Sequence, residues 1–224
     1  MTKYIPILSA LIISAAVARA DLVMEQQTGE SNHLQTAILK LHDDKMRLDQ
    51  PAAGISVIVD LKSRNSYTLL TTNKMFLFRF GSEIRWEMSE ERKYTHGTND
   101  LDQMPVPAED TGKSENVSGY DAEIYTWSGA RGLTEKLWVA KNFPDYAAIK
   151  TELARVDQFN AAGPHPNAQP ELSRLPGMVI KAESTSGGQK VTTTLVSAKV
   201  EPVDSSLFEL PVGYKEWKPA KQKP

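Results

Sequence analysis

The side chains with the widest chemical range in this sequence are its four histidines, His33, His42, His96 and His165. No two of them stand at the helical spacing that presents a pair of imidazoles to one zinc ion. Cysteine is absent, so disulfides, thiolate metal centres and thiol nucleophiles are excluded. Asp43, Asp44 and Asp49, and again Asn99, Asp100 and Asp102, bring oxygen ligands close together along the chain. Neither group has the alternating ligands, central glycine and closing glutamate of a calcium loop. Gly187-Gly188-Gln189-Lys190 lacks a following helix whose amides would hold a phosphate. No Gly-x-Ser-x-Gly elbow exposes a serine. The expectation is a protein that is not an enzyme, with no catalytic residue, no metal and no cofactor.

What remains is apolar chemistry. Phe76, Phe78, Trp86, Trp127, Leu137 and Trp138 fall on segments that read as strand or helix. Around an open cavity they would offer a ligand large apolar surface; otherwise they are the core between sheet and helices. The first expectation from these residues is a binding protein for an apolar ligand. The alternative is an envelope structural or interaction protein with a filled cavity and a protein partner. A hydrolase of envelope material ranks below both. The partners expected on these grounds are an apolar ligand or an envelope protein. A formal charge of −2 without a polybasic run argues against nucleic acid.

These residues must be positioned by short strands. The stretch 111–146 reads as three strands separated by tight turns, followed by a helix. Along 121–128, Ala122, Ile124, Thr126 and Ser128 share one face and Asp121, Glu123, Tyr125 and Trp127 the other. Leu133, Glu135, Leu137 and Val139 likewise oppose Thr134, Lys136, Trp138 and Ala140. Alternation yields two sets per strand without saying which is covered. Tyr146, Ile149, Leu153 and Val156 then recur at three- and four-residue steps, which predicts a helix over 144–158 lying on the sheet. Upstream, strands are expected over 22–27, 35–42, 45–49, 55–61, 66–71 and 75–80. The polar turns between them imply an antiparallel meander. A second helix is expected over 82–93, a loop over 94–110, and a proline-rich surface segment over 160–176. A closing hairpin turns at Gly187-Gly188.

The N-terminus has a separate signature. Lys3, an apolar run over 5–17 and Ala18-Arg19-Ala20 read as a cleaved secretory signal, residues 1–20. The run is shorter than the ~20 residues of a spanning helix. The expected product is periplasmic or secreted, with no integral membrane segment after cleavage. It comprises one domain, 21–214, and a charged, frayed tail, 215–224. Loss of Lys3 and Arg19 leaves it mildly acidic.

Several segments in order resemble a known bacterial family. They are Lys45-Met46-Arg47-Leu48-Asp49, Ser56-Val57-Ile58-Val59-Asp60-Leu61 and Tyr67-Thr68-Leu69, then Gly112-Lys113 through Gly119-Tyr120. Glu135-Lys136-Leu137-Trp138-Val139-Ala140 and the closing Asp204-Ser205-Ser206-Leu207-Phe208-Glu209-Leu210-Pro211 complete the set. The resemblance is to exported domains of unknown function similar to the LolA/LolB-like lipoprotein-carrier superfamily. It implies an α+β fold: a strongly curved antiparallel sheet, an unclosed β-barrel, with helices packed in its concave side. In the carriers that cavity holds acyl chains of lipoproteins, so the resemblance implies an exported binding protein for an apolar or acyl-chain ligand, carrier- or sensor-like, whose partner is a lipid, acyl chain or lipoprotein. Arg47 resembles an arginine that the carriers place on an early strand near the cavity, and so joins the expected ligand-binding residues. The long polar segment 94–110 departs from the carriers' pattern.

Overall fold

The structure, a computed structural model, describes residues 21–30, 33–82, 107–129, 132–161 and 170–218. One sheet of twelve strands dominates it, in the order β12-β6-β5-β4-β3-β2-β1-β11-β10-β9-β8-β7. The first meander is β1 (Leu22–Glu30), β2 (His33–His42), β3 (Lys45–Gln50), β4 (Ile55–Asp60), β5 (Ser66–Leu70) and β6 (Met75–Arg79). The second is β7 (Glu109–Val117), β8 (Tyr120–Ser128), β9 (Thr134–Ala140), β10 (Met178–Ser186) and β11 (Gln189–Val200). The two meanders are joined by the antiparallel pairing of β1 with β11, from Leu22 opposite Val200 to Gly29 opposite Thr192. β7 and β12 end the sheet without meeting, so the curved sheet is an unclosed barrel.

Local chemistry sets the hairpins. Ser118 and Gly119 link β7 to β8 with φ of 52° and 86°, and Gly187 and Gly188 link β10 to β11 with φ of 57° and 81°. Two successive positive φ values make the tight turn whose twist suits a two-residue hairpin. The Asp60 carboxylate accepts from the Lys62 and Ser63 N–H groups at 3.0 and 2.6 Å and so folds the turn after β4.

Helix α1 (Tyr146–Ala161) buries Ile149, Glu152 and Leu153. It starts two residues later than the periodicity predicts. Asp145 has φ 53°, and a left-handed residue cannot belong to a right-handed helix. The apolar stripe itself holds. Ile149 and Leu153 share a core with Leu22, Met24, Leu41, Ile124, Trp138, Met178, Ile180 and Leu195, and Tyr146 and Val156 pack at its border. The helix is tied to the rim of the sheet by charge. Buried Glu152 accepts from Arg155 at 2.5 Å, and Arg155 also reaches Asp44 in the β2–β3 turn at 3.2 Å. Further along, the Arg64 guanidinium donates to the Phe159 carbonyl at 2.7 Å and stacks over its ring.

The opposite face of β3–β6 is covered by the C-terminal segment. Phe208 packs with Ile58 and Leu69 and stacks on His42 at 5.6 Å between ring centroids. The expected frayed tail departs from this picture at its start. Lys215–Glu216 forms β12, parallel to β6, with Lys215 donating to the Lys74 carbonyl and Trp217 to that of Phe76. The unpaired edge of β6 offers backbone partners that hold even a charged segment. Similarly, the loop expected over 94–110 gives way to β7 at Glu109; a polar edge strand needs no apolar alternation. The expected helix over 82–93 lies outside the described residues from 83 onward, as do residues 1–20.

Candidate functional site: a cavity at the joint between the two meanders

Strand directions explain how the cavity arises. β10 pairs with β11 only from Lys181 opposite Thr194 to Ser186 opposite Gln189. Below that, residues 195–200 of β11 pair with β1 alone. The register also slips where β10 meets β9, leaving Ile180 as an unmatched residue between Val179 and Lys181. A second slip falls on β11 opposite Glu25 and Gln26. Bulges of this kind bend a strand and break the ladder locally. Here the break opens a space beside helix α1.

That space is a cavity of about 340 Å³, within the roughly 300–1,000 Å³ typical of small-ligand sites. Its wall has two chemistries. Met24, Leu137, Leu153, Leu172, Met178 and Leu195 make the lower, apolar part, where the strands approach the helix. Ser184 and Glu135, paired with each other, lie two residues further along β10 and β9 than Ala182 and Leu137 and make that end polar, while Gln26 opposite Leu195, Thr193 opposite Ala182, and Lys181 add polar groups to the rest of the wall. The Ser184 hydroxyl donates to Glu135 at 3.0 Å, and Thr193 bonds Thr28 across the β1–β11 ladder at 3.0 Å. Burial pushes the Glu135 carboxyl above the usual carboxylate range, and the Ser184 hydrogen bond offsets only part of this. The result is an amphipathic hollow: an apolar end closed by a helix and a polar mouth able to donate and accept hydrogen bonds. Gly177 also lines it, at a position where a Cβ would stand 2.3 Å from the Ala140 carbonyl oxygen.

The residues expected to bind ligand are divided by this geometry. Leu137 lines the cavity. Trp127 stands opposite Glu135 in the β8–β9 ladder, hence on the same face, and is buried without lining the hollow. Trp138 points to the other face of β9; its Nε1–H donates to Glu115 at 2.8 Å, and the Lys136 and Lys181 ammonium groups lie 4.4 and 4.1 Å from its ring centroid. Phe76 and Phe78 sit across from Tyr67 on the face covered by the C-terminal segment, with ring centroids 5.9 and 4.8 Å away. Phe78 borders a smaller hollow there, of about 220 Å³, with Ile58 and Phe208. Trp86 lies outside the described residues.

Arg47 is on that same far face. It donates to Asp49 at 2.7 Å, to the Leu207 carbonyl at 2.6 Å and to Ser56 at 3.3 Å. Burial pushes the Asp49 carboxyl up, but hydrogen bonds from Lys40, Ser56 and Arg47 more than offset it and hold it below the ordinary range. These contacts make Arg47 the anchor of the C-terminal segment. Met24, Leu153, Met178, Leu195 and Glu135 were not singled out by the sequence; only the helical stripe carrying Leu153 signalled any of them. Among the described residues no group of three or more potential ligands could hold a metal ion, and no helix is long and apolar enough to cross a membrane.

Fold and hollow together define an unclosed-barrel α+β protein with an apolar cavity beside its helix. The chain belongs to the family described as a domain of unknown function, DUF4412, which matches residues 22–214. This agrees with the resemblance to a family of domains of unknown function. No curated protein matches the chain. Among solved structures it is similar to an uncharacterized conserved protein from Thermus thermophilus. That likeness has a TM-score of 0.51 at 8% identity, over 89% of this chain and 90% of that one; it shows the fold alone. It is also similar to the lipoprotein LppX of Mycobacterium tuberculosis, with TM-score 0.39, 14% identity and coverage of 84% and 90%. A third likeness is to PNGF-II, with TM-score 0.43, 13% identity and 89% of this chain, which spans only 31% of that protein's length. At those TM-scores neither bears on activity.

Proposed function

We propose that this protein is an exported, non-catalytic binding protein for an apolar or acyl-chain ligand, acting as a carrier or sensor in the envelope. The observation that carries this reading is the amphipathic hollow at the β10–β11 break. Its apolar end is closed by Leu153 of α1 and its polar mouth carries Glu135 and Ser184. Such a wall suits a molecule with a hydrocarbon part and a hydrogen-bonding end. Leu137 is the binding residue foreseen from sequence that the wall contains, and Trp127 backs the same face.

Native mass spectrometry with lipid extraction, on protein purified gently from its own envelope, tests the proposal. A co-purifying fatty acid, phospholipid or lipopeptide is the expected result. In parallel, Leu153→Glu places a charge at the apolar end and should weaken binding of a fluorescent fatty acid at least about tenfold, since an unpaired buried charge is strongly disfavoured. Circular dichroism establishes that the variant folds. If nothing co-purifies and the wild-type chain fails to bind the probe, the proposal falls. The alternative of a filled cavity and a protein partner then takes its place.

A further inference from the structure

The helix-side hollow has a neighbour. A second cavity, of about 370 Å³, lies where β10 and β11 part, bordered by Tyr120, Phe143, Val196 and Lys199. Ile180 and Leu195 line both cavities, so the two spaces abut at that pair of side chains. Both residues stand at the break in pairing: Ile180 is the unmatched residue against β9, and Leu195 is the first residue of β11 beyond its last partner on β10. No backbone ladder seals the sheet between them.

The two chambers differ in what they offer an anion. Glu135 and Lys181 both line the first, and Lys181 is already paired with Glu183 at 3.1 Å. Lys199 lines the second and makes no ion pair among the described residues. Beside it Val196 leaves 51% of its surface exposed, an apolar rim next to a cation. This asymmetry gives an amphiphile a direction. Resting on the binding function proposed above, we propose that the two cavities form one bipartite site for a long-chain anionic amphiphile. Its head lies at Lys199, and its tail passes Ile180 and Leu195 into the chamber beside α1.

Competition against a fluorescent fatty acid tests this with the whole chain, using decanoate, hexadecanoate and hexadecan-1-ol as competitors. Each methylene taken from water into the protein is worth about fourfold in affinity, so the wild type should prefer hexadecanoate to decanoate steeply. Ile180→Trp closes the passage, and should weaken hexadecanoate far more than decanoate, removing most of that gain. Leu195→Phe approaches the same point from the other strand and guards against a folding defect in the first variant. Lys199→Gln, on the surface, should weaken hexadecanoate about fivefold, as expected for one exposed charge contact, and leave hexadecan-1-ol unchanged.

The bipartite site is overturned if both wall variants keep the wild-type chain-length gain, or if Lys199→Gln binds hexadecanoate as the wild type does. Should Leu153→Glu abolish binding while those three variants behave as wild type, the binding function stands and only the second chamber falls. If the wild type binds none of the competitors, both fall.

Discussion

Replacing Arg155 by methionine tests how the helix that closes the cavity is held. The side chain of Glu152 is 4% exposed, that of Arg155 17% and that of Asp44 27%. Arg155 lies between the two carboxylates, at 2.5 Å from Glu152 and 3.2 Å from Asp44. Removing one partner of a fully buried pair costs about 3–5 kcal/mol, because the other charge is left uncompensated. Arg155 retains some contact with water, which places the expectation at the lower end, about 3 kcal/mol. Asp44 keeps Lys62 as a second partner, so its share of the loss is small. With a urea slope of about 2 kcal/mol/M, the unfolding midpoint should fall by about 1.5 M. Urea denaturation followed by circular dichroism at neutral pH measures this. The paired variant Glu152→Gln/Arg155→Met removes the stranded charge and should recover more than half of the loss. A single variant within about 0.5 kcal/mol of wild type, the ordinary range for surface substitutions, would refute the reasoning. So would a double variant no more stable than the single one.

Three further outcomes follow from geometry already described. Because burial raises the Glu135 pKa, the folded state holds that proton more tightly than the unfolded chain. Stability should fall as pH rises above the ordinary glutamate value of about 4.3, until the folded pKa is passed. Glu135→Gln should abolish that fall and be the more stable protein at neutral pH in thermal melts; equal melting curves across the range would contradict it. Asp49 has the opposite sign: its lowered pKa gives stability present above about pH 3.9 and lost as pH falls through the folded value. The advantage of wild type over Asp49→Asn should therefore narrow in acid, and a constant gap in urea titrations would count against it. Gly177→Ala would press a Cβ against the Ala140 carbonyl at 2.3 Å. It should cost about 1–3 kcal/mol, as overpacking against backbone does; an unchanged melting temperature would show that the strand gives way freely.

The strands were legible because each is a local event. Polar turns such as Asp43-Asp44 and Gly187-Gly188 punctuate apolar alternation, and the helix announced itself through Tyr146, Ile149, Leu153 and Val156. The cavity was not legible, for a specific reason. It depends on β1 meeting β11 across most of the chain and on bulges at Ile180 and opposite Glu25, and neither leaves a periodic trace. Leu137 and Trp138 show the limit within one strand. Alternation assigns them to opposite faces, yet only the folded sheet says that Leu137 faces the hollow and Trp138 the lysines. Arg47 shows the limit of resemblance. A charged residue on an early strand can serve either face, and here its contacts with Asp49, Ser56 and Leu207 commit it to the C-terminal segment.

The joining of β1 to β11 also orders events in time. Each meander consists of neighbours in sequence and can assemble as soon as its residues are available, whereas the joint closes a loop of more than 160 residues, as between Thr28 and Thr193. Loop closure grows costly only slowly with length, but contacts this distant form late and slow the folding of β-rich chains. Two half-sheets with exposed inner edges on β1 and β11 should therefore precede the finished domain. Those are the edges an unwanted partner chain could extend, and the interval before they meet is when the chain is most exposed to aggregation. A molecule held at the joint would favour the closed arrangement by mass action, by about 2.7 kcal/mol at a hundred times its dissociation constant. The same two strands thus set the pace of maturation and the route by which occupancy of the cavity would be felt as resistance to unfolding.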